Sequence, residues 1–67
     1  MQYSITIHGP IPEGTAKRLW RDVEKARGNL LVLLEEAFIF GDADDATINK
    51  LAFEAGKTGY LVEVERG

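Results

Sequence analysis

The sequence contains no cysteine and only one histidine, His8. Without cysteine the chain can form neither a disulfide nor a thiolate metal site, and a structural zinc site of the usual cysteine-and-histidine kind is excluded. A cysteine nucleophile is excluded for the same reason. The lack of cysteine fits a reducing compartment, and we expect a cytoplasmic location.

Long apolar runs are also absent. The longest apolar stretch, NLLVLLEEAFIF at 29–40, is interrupted by Glu35 and Glu36 and is shorter than the roughly 20 residues needed to cross a bilayer. The first residues alternate between apolar and polar side chains, unlike the basic start and apolar core of a signal peptide. We therefore expect a soluble protein without a membrane partner.

The 67 residues have room for one domain, which we predict to span residues 1–67. A chain of this length buries only about 60% of the surface that its unfolded form exposes, so tight helix-on-sheet packing or association with another chain is expected to add stability. The charge is uneven, because residues 15–27 carry five bases and two acids and the remainder carries three bases and nine acids. Such polarity can orient a docking partner, and it equally fits a solvated helix face.

Hydrophobic periodicity predicts two outer strands and two helices. Residues 2–8 and 60–65 alternate as half-buried strands do. Residues 15–27 and 42–56 show helical stripes; the first helix is predicted to end at a left-handed Gly28 and the second to begin at capping aspartates. The two stripes consist of Ala16, Leu19, Trp20 and Val23, and of Ile48, Leu51, Ala52 and Ala55.

The middle of the chain allows two interpretations. Residues 30–34 (LLVLL) and 37–40 (AFIF) fit two strands, although Glu35 and Glu36 lack the glycine or asparagine that favours a hairpin turn. The alternative is a longer first helix that continues through LLVLLEEA. With two strands, the order of elements predicts an α+β fold of the ferredoxin-like βαββαβ type, with a four-stranded antiparallel sheet and two helices on one face.

Gly56, Lys57 and Thr58 match the end of the phosphate-binding motif G-x-x-x-x-G-K-[ST]. The first glycine of that motif would fall at Leu51. The motif also lies between a strand and the helix that it opens, whereas these residues leave a helix and enter a strand. We interpret them as a helix end and a turn, and we expect no nucleotide to bind there.

The stretch GDADDATINKLAFEAGKTGYLVEVE, residues 41–65, resembles the C-terminal half of heavy-metal-associated domains, the copper-chaperone family. That family has a similar acidic helix start, a similar turn and a closing strand. The stretch ITIHGPIPEGTAKRL falls where the family has its first strand and its G-M-x-C-x-x-C metal loop. The resemblance implies the ferredoxin-like fold and, if Gly9 takes the place of the loop glycine, it puts Pro12 and Thr15 at the two cysteine positions.

Neither of these residues can replace the ligands of that family. Proline has no donor atom, and a neutral threonine hydroxyl is a poor ligand for Cu(I). The resemblance therefore implies a scaffold that lacks the metal site, and we expect neither a metal nor another cofactor. Tyr60 follows the turn, where the family places a lysine or a tyrosine near the metal, and here its expected role is packing.

Other metal sites and catalytic sites lack the necessary groups. His8 and Glu13 are two candidate ligands, which is too few to hold a metal ion. We expect His8 to face solvent. The aspartates at 42–45 are not followed by the glycine and glutamate that a calcium-binding EF-hand loop requires, so helix capping explains them. No motif places a nucleophile beside a base, and we expect that the chain is not an enzyme.

Several apolar residues have no place in the predicted core. The resemblance implies that Ala37 and Ile39 point toward the helices, so Phe38 and Phe40, which alternate with them, are expected on the open side of the sheet. Phe53 lies opposite the apolar stripe of its helix. The candidate partner-binding residues are Leu31, Leu33, Phe38, Phe40 and Phe53, with Leu30 and Leu34 as the alternative to the two leucines. Contiguous exposed apolar surface is typical of interfaces, whereas a one-residue shift of register would exchange the two faces of the strand.

From these features we expect a non-catalytic protein-interaction module or small accessory subunit, whose open sheet face docks another copy of itself or a larger assembly. The alternative is a small-molecule or metal carrier that uses the loop Gly9–Gly14 and Tyr60. Aromatic residues on a sheet face also occur in RNA-binding modules, but the RNP1 pattern is missing and Glu63 and Glu65 flank the same face. We therefore expect no nucleic-acid partner.

Overall fold

The computed structural model describes all 67 residues and contains four strands and two helices. In chain order they are β1 (Gln2–His8), α1 (Glu13–Lys25), β2 (Asn29–Val32), β3 (Ala37–Asp42), α2 (Asp45–Gly56) and β4 (Leu61–Arg66). The strands form one antiparallel sheet in the order β2-β3-β1-β4. The predicted ferredoxin-like βαββαβ fold is confirmed. Neither helix combines the length and the apolar character that a bilayer-spanning segment requires.

The core lies on one face of the sheet, where both helices pack. In β1 the alternating residues Tyr3, Ile5 and Ile7 are buried, whereas Ser4 and Thr6 between them lie on the other face. The remaining buried apolar side chains come from β3 and the two helices: Ala37, Ile39, Leu19, Val23, Ile48, Leu51 and Ala55. Since both helices contribute to this single core, they cover the same side of the sheet and leave its other face open.

The predicted apolar stripe of α1 is only partly correct. Leu19 and Val23 are buried, but 45% of Trp20 is exposed. Successive helical residues are rotated by about 100°, so Trp20 lies at the flank of the buried stripe when Leu19 points into the core. It lies beside Leu30 of β2 instead, at the outer edge of the helix.

The end of α1 differs from the prediction at Gly28. Arg27, with φ of 58°, adopts the left-handed conformation, and Gly28 does not. The amides of Arg27 and Gly28 donate to the carbonyls of Glu24 and Val23, which closes the helix as glycine-ended helices are closed. Gly28 is required for a different reason: a Cβ atom there would lie 2.7 Å from the hydroxyl oxygen of Tyr3.

Residues 30–34 do not continue the first helix, so the alternative interpretation is wrong. They enter a hairpin in which Leu30 pairs with Ile39 and Leu31 pairs with Phe38. Strand β2 ends at Val32, earlier than predicted, because the chain turns between Leu33 and Glu36. The Leu33 amide donates to the Glu36 carbonyl at 2.8 Å and closes this turn without glycine.

The start of α2 agrees with the prediction. Asp44 is the N-cap residue, and its carboxylate accepts a hydrogen bond of 2.9 Å from the Thr47 amide. This hydrogen bonding from Thr47 lowers the pKa of Asp44 below its ordinary value of 3.8. Ile48 and Leu51 are buried as predicted, and 67% of Phe53 is exposed on the outer side of the helix.

Candidate functional site on the open sheet face

The half of the open face formed by β2 and β3 is apolar. Phe38 and Phe40 of β3 lie on this face, because Ala37 and Ile39 between them are buried on the other. Leu31 is the cross-strand partner of Phe38. Leu33 follows two residues later, and its bond to Glu36 continues the same register, which places it on the same face. We call Leu31, Leu33, Phe38 and Phe40 the apolar strip.

The apolar strip is accessible to a partner. The exposed fractions are 48% for Leu31, 46% for Leu33 and 43% for Phe40, and Phe38 is half-buried between its neighbours. Leu34 at the hairpin turn is 93% exposed and extends the apolar surface around the edge of the sheet. No other element of the chain covers this region.

The other half of the open face, formed by β1 and β4, is mainly polar and acidic, with Leu61 exposed opposite His8 at the end of β4. Thr6 of β1 pairs with Glu63 of β4, and Ser4 pairs with Glu65. His8 ends the β1 column, and its Nε2 atom lies 2.6 Å from a carboxylate oxygen of Glu63. The sequence did not reveal this partner of His8, because the two residues are brought together only by the pairing of the first and last strands.

The structure brings four of the five candidate partner-binding residues together and separates the fifth. Leu31, Leu33, Phe38 and Phe40 form the apolar strip, whereas Phe53 lies on α2, on the opposite side of the molecule. There the Lys57 ammonium lies 5.1 Å from the centre of its ring. A partner seated on the open face therefore does not reach Phe53.

The loop that the resemblance aligns with a metal site is closed by packing. The ring of Tyr60 lies against Gly9, where an added Cβ would be 2.3 Å from the ring. The Tyr60 hydroxyl donates to the Pro10 carbonyl at 3.0 Å. Nowhere in the chain do three or more histidine, cysteine, aspartate or glutamate residues converge as a metal site.

The aspartates at the start of α2 have separate partners. Asp42 pairs with the N-terminal ammonium group, Asp44 caps the helix, and Asp45 accepts a hydrogen bond from Arg66. They therefore do not share one cation.

A second candidate surface lies on the helix side. Of the residues predicted for a small-molecule carrier, the loop Gly9–Gly14 and Tyr60, only Pro12 and Tyr60 line it, and the sequence did not reveal the rest. This surface is a cleft of about 420 Å³ between α1 and the C-terminal end of α2. Its charged lining includes Arg18, Arg21 and Lys25 of α1 and Lys57 after α2. The spacing of the three α1 bases signals a common helix face, but nothing in the sequence indicates that Lys57 faces them.

No protein-family model matches the sequence, and no curated protein shows significant similarity to it. The ferredoxin-like fold is used for many unrelated functions. Function must therefore be inferred from the two surfaces themselves.

Proposed function

We propose that this chain is a non-catalytic protein-interaction module, a metal-free scaffold resembling heavy-metal-associated domains, and that its apolar strip docks a second copy of the same chain. One observation carries the proposal: four large apolar side chains are gathered on a sheet face that no other part of the chain covers. The cytoplasmic location expected from the cysteine-free sequence belongs to the same proposal.

The size of the apolar surface supports a weak, reversible dimer. The exposed parts of the apolar strip and of Leu34 amount to on the order of 400 Å² per copy. A patch of this size is comparable with the largest apolar patch on a typical monomer, which is often functional. Two copies would bury on the order of 800 Å² of apolar area before any polar rim is added, which is below the roughly 1,200 Å² of standard specific interfaces and in the range of weak, transient ones.

The charge pattern favours a second copy in one particular arrangement. The four side chains of the apolar strip are uncharged, Glu36 lies opposite Leu33 at the hairpin end of the same face, and the acidic column of Glu63 and Glu65 lies two strands away, on the edge strand β4. The two copies would be related by a two-fold axis that runs parallel to the strands, above the open face and midway between β2 and β3. This axis would stack one apolar strip on the other. The acidic columns would then lie at opposite outer edges, where they do not repel each other.

The small core supplies a physical reason for association. Only ten apolar residues are buried in the chain, and nine large apolar residues remain exposed. Burial of part of this exposed surface in a dimer would stabilise the folded state by mass action, so the midpoint of unfolding should rise with protein concentration.

The proposal is tested by two matched phenylalanine substitutions. Phe40→Asp puts a carboxylate into the apolar strip, whereas Phe53→Asp makes the same change on the opposite side of the molecule. We expect sedimentation velocity over a concentration series to show a monomer–dimer equilibrium for the parent and for Phe53→Asp, and only monomer for Phe40→Asp. Circular dichroism establishes that each variant is folded, and Leu31→Glu serves as a second strip variant.

A parent chain that is monomeric at every concentration would refute self-association. Equal loss of the dimer in Phe40→Asp and Phe53→Asp would refute the assignment to the open face. A folded strip variant that still dimerises like the parent would do the same.

A further inference from the structure

The cleft between α1 and the end of α2 is a second surface, independent of the open face. One wall is α1, and the other is formed by the last residues of α2 and the turn that leads into β4. The two surfaces lie on opposite sides of the sheet. A ligand in the cleft would therefore leave the apolar strip free.

The cleft concentrates positive charge in a protein whose net charge is −3. Four bases and two carboxylates line it, which leaves two positive charges. Lys57 already pairs with Glu54, at 3.2 Å. Arg18, Arg21 and Lys25 make no ion pair or side-chain hydrogen bond within the chain, and all three are exposed, so their donors are available to a ligand.

The second wall carries two hydroxyl groups, each of which already donates its proton within the chain. The Thr58 hydroxyl donates to the Ala55 carbonyl at 2.8 Å and accepts a hydrogen bond from the Tyr60 amide. The Tyr60 side chain is fixed by its bond to Pro10 and by its contact with Gly9. Since six of the 11 lining residues are charged, the cleft favours a ligand with a charged group.

We propose that this cleft binds a small organic phosphate monoester. Such a group carries about two negative charges at neutral pH, which matches the two uncompensated positive charges of the lining. Arginine is suited to this role because its planar guanidinium donates two parallel hydrogen bonds to phosphate oxygens. The volume of about 420 Å³ lies within the range of small-molecule sites and leaves room for the organic part beside the phosphate.

This site is distinct from the rejected phosphate-loop motif. Lys57 and Thr58 do border the cleft, but the phosphate would be held mainly by side chains of α1 and not by a ring of backbone amides. We therefore infer that the cleft selects the accessible negative charge of a phosphate monoester. It does not surround the phosphate with backbone amides as a nucleotide-binding loop does.

The experiment is an NMR titration of the full chain with phenyl phosphate, with benzyl alcohol as the neutral control. We expect saturable shifts of amide signals in α1 and at residues 54–60, and no comparable shifts with benzyl alcohol. The double variant Arg18→Gln/Arg21→Gln is expected to weaken phenyl phosphate binding by about tenfold or more, because it removes two charge-assisted donors.

The matched control is Lys17→Gln/Arg27→Gln, which removes the same net charge from residues outside the cleft lining. We expect it to weaken binding much less than the cleft variant does, since neither side chain lines the cleft and no charge-assisted hydrogen bond to the phosphate is removed. No saturable shift with phenyl phosphate, shifts centred away from the cleft, or equal weakening in the two double variants would each overturn the proposal. The dimer test on the open face is unaffected by any of these results.

Discussion

The contact between Tyr3 and Gly28 gives the sharpest test of the packing. Tyr3 is 5% exposed, and its hydroxyl group is buried without a hydrogen-bond partner. A Cβ atom at Gly28 would lie 2.7 Å from that hydroxyl oxygen and 3.2 Å from Cγ1 of Val23. Because Gly28 is not in the left-handed region, the effect of Gly28→Ala is steric and not conformational.

The expected magnitudes follow from these contacts. Overpacking of this kind costs about 1–3 kcal/mol, so Gly28→Ala should lower the free energy of unfolding by about 2 kcal/mol. Tyr3→Phe removes an unsatisfied buried hydroxyl and should be neutral or stabilising by about 1 kcal/mol. The double variant lacks the Tyr3 hydroxyl, so the closest contact of the new Cβ atom is gone and only the contact with Cγ1 of Val23 remains. The cost of Gly28→Ala should therefore fall by about 1 kcal/mol.

Urea unfolding of the parent, the two single variants and the double variant measures this coupling energy. Additive effects within experimental error would show that the hydroxyl does not limit the space at Gly28. A loss of more than about 1 kcal/mol in Tyr3→Phe would show that the hydroxyl makes a stabilising hydrogen bond. Either result would refute the reasoning.

Three further predictions follow from single contacts. Burial raises the pKa of Tyr3 above its ordinary value of 10.0, so the unfolded chain loses the Tyr3 hydroxyl proton first as the pH rises. The free energy of unfolding should therefore fall between pH 10 and the raised pKa. Urea unfolding of Tyr3→Phe over the same pH range should lack this part of the fall. Asp44→Ala removes the N-cap of α2, the carboxylate that accepts a hydrogen bond from the Thr47 amide, and should lower the midpoint of thermal unfolding at neutral pH. That stabilisation is present above pH 3.8 and is lost as the pH falls through the lowered pKa of Asp44, so a difference from the parent that persists in more acidic solution would contradict it. Gly9→Ala should lower the free energy of unfolding by about 2 kcal/mol, because its Cβ overlaps the ring of Tyr60, and the cost should shrink in a Tyr60→Ala background.

The parts of the fold that could be predicted from the sequence are those controlled by local periodicity. The alternation at residues 2–8 specified which face of β1 is buried, and Ile48 and Leu51 specified the buried side of α2. The expectation that Ala37 and Ile39 face the helices, and Phe38 and Phe40 the open face, came from the family resemblance and not from periodicity, and the observed pairing of β3 with β1 agrees with it.

The errors arose where a distant contact overrides a local rule. Gly28 looks like a left-handed helix end, but the space beside Tyr3 is what requires glycine there. Trp20 has helical spacing but lies beyond the width of the core. The basic cleft could not be predicted because Lys57 and Arg18 become neighbours only when the two helices pack on the sheet.

The central claim, that the apolar strip joins two copies, is tested most directly by intermolecular NOE measurements. A sample is mixed from isotope-labelled and unlabelled chains, and only contacts between the two kinds of chain are recorded. We predict NOEs from the methyl groups of Leu31 and Leu33 to the ring protons of Phe38 and Phe40 in the other copy. An absence of such NOEs, or intermolecular NOEs confined to Phe53 and its helix, would contradict the account.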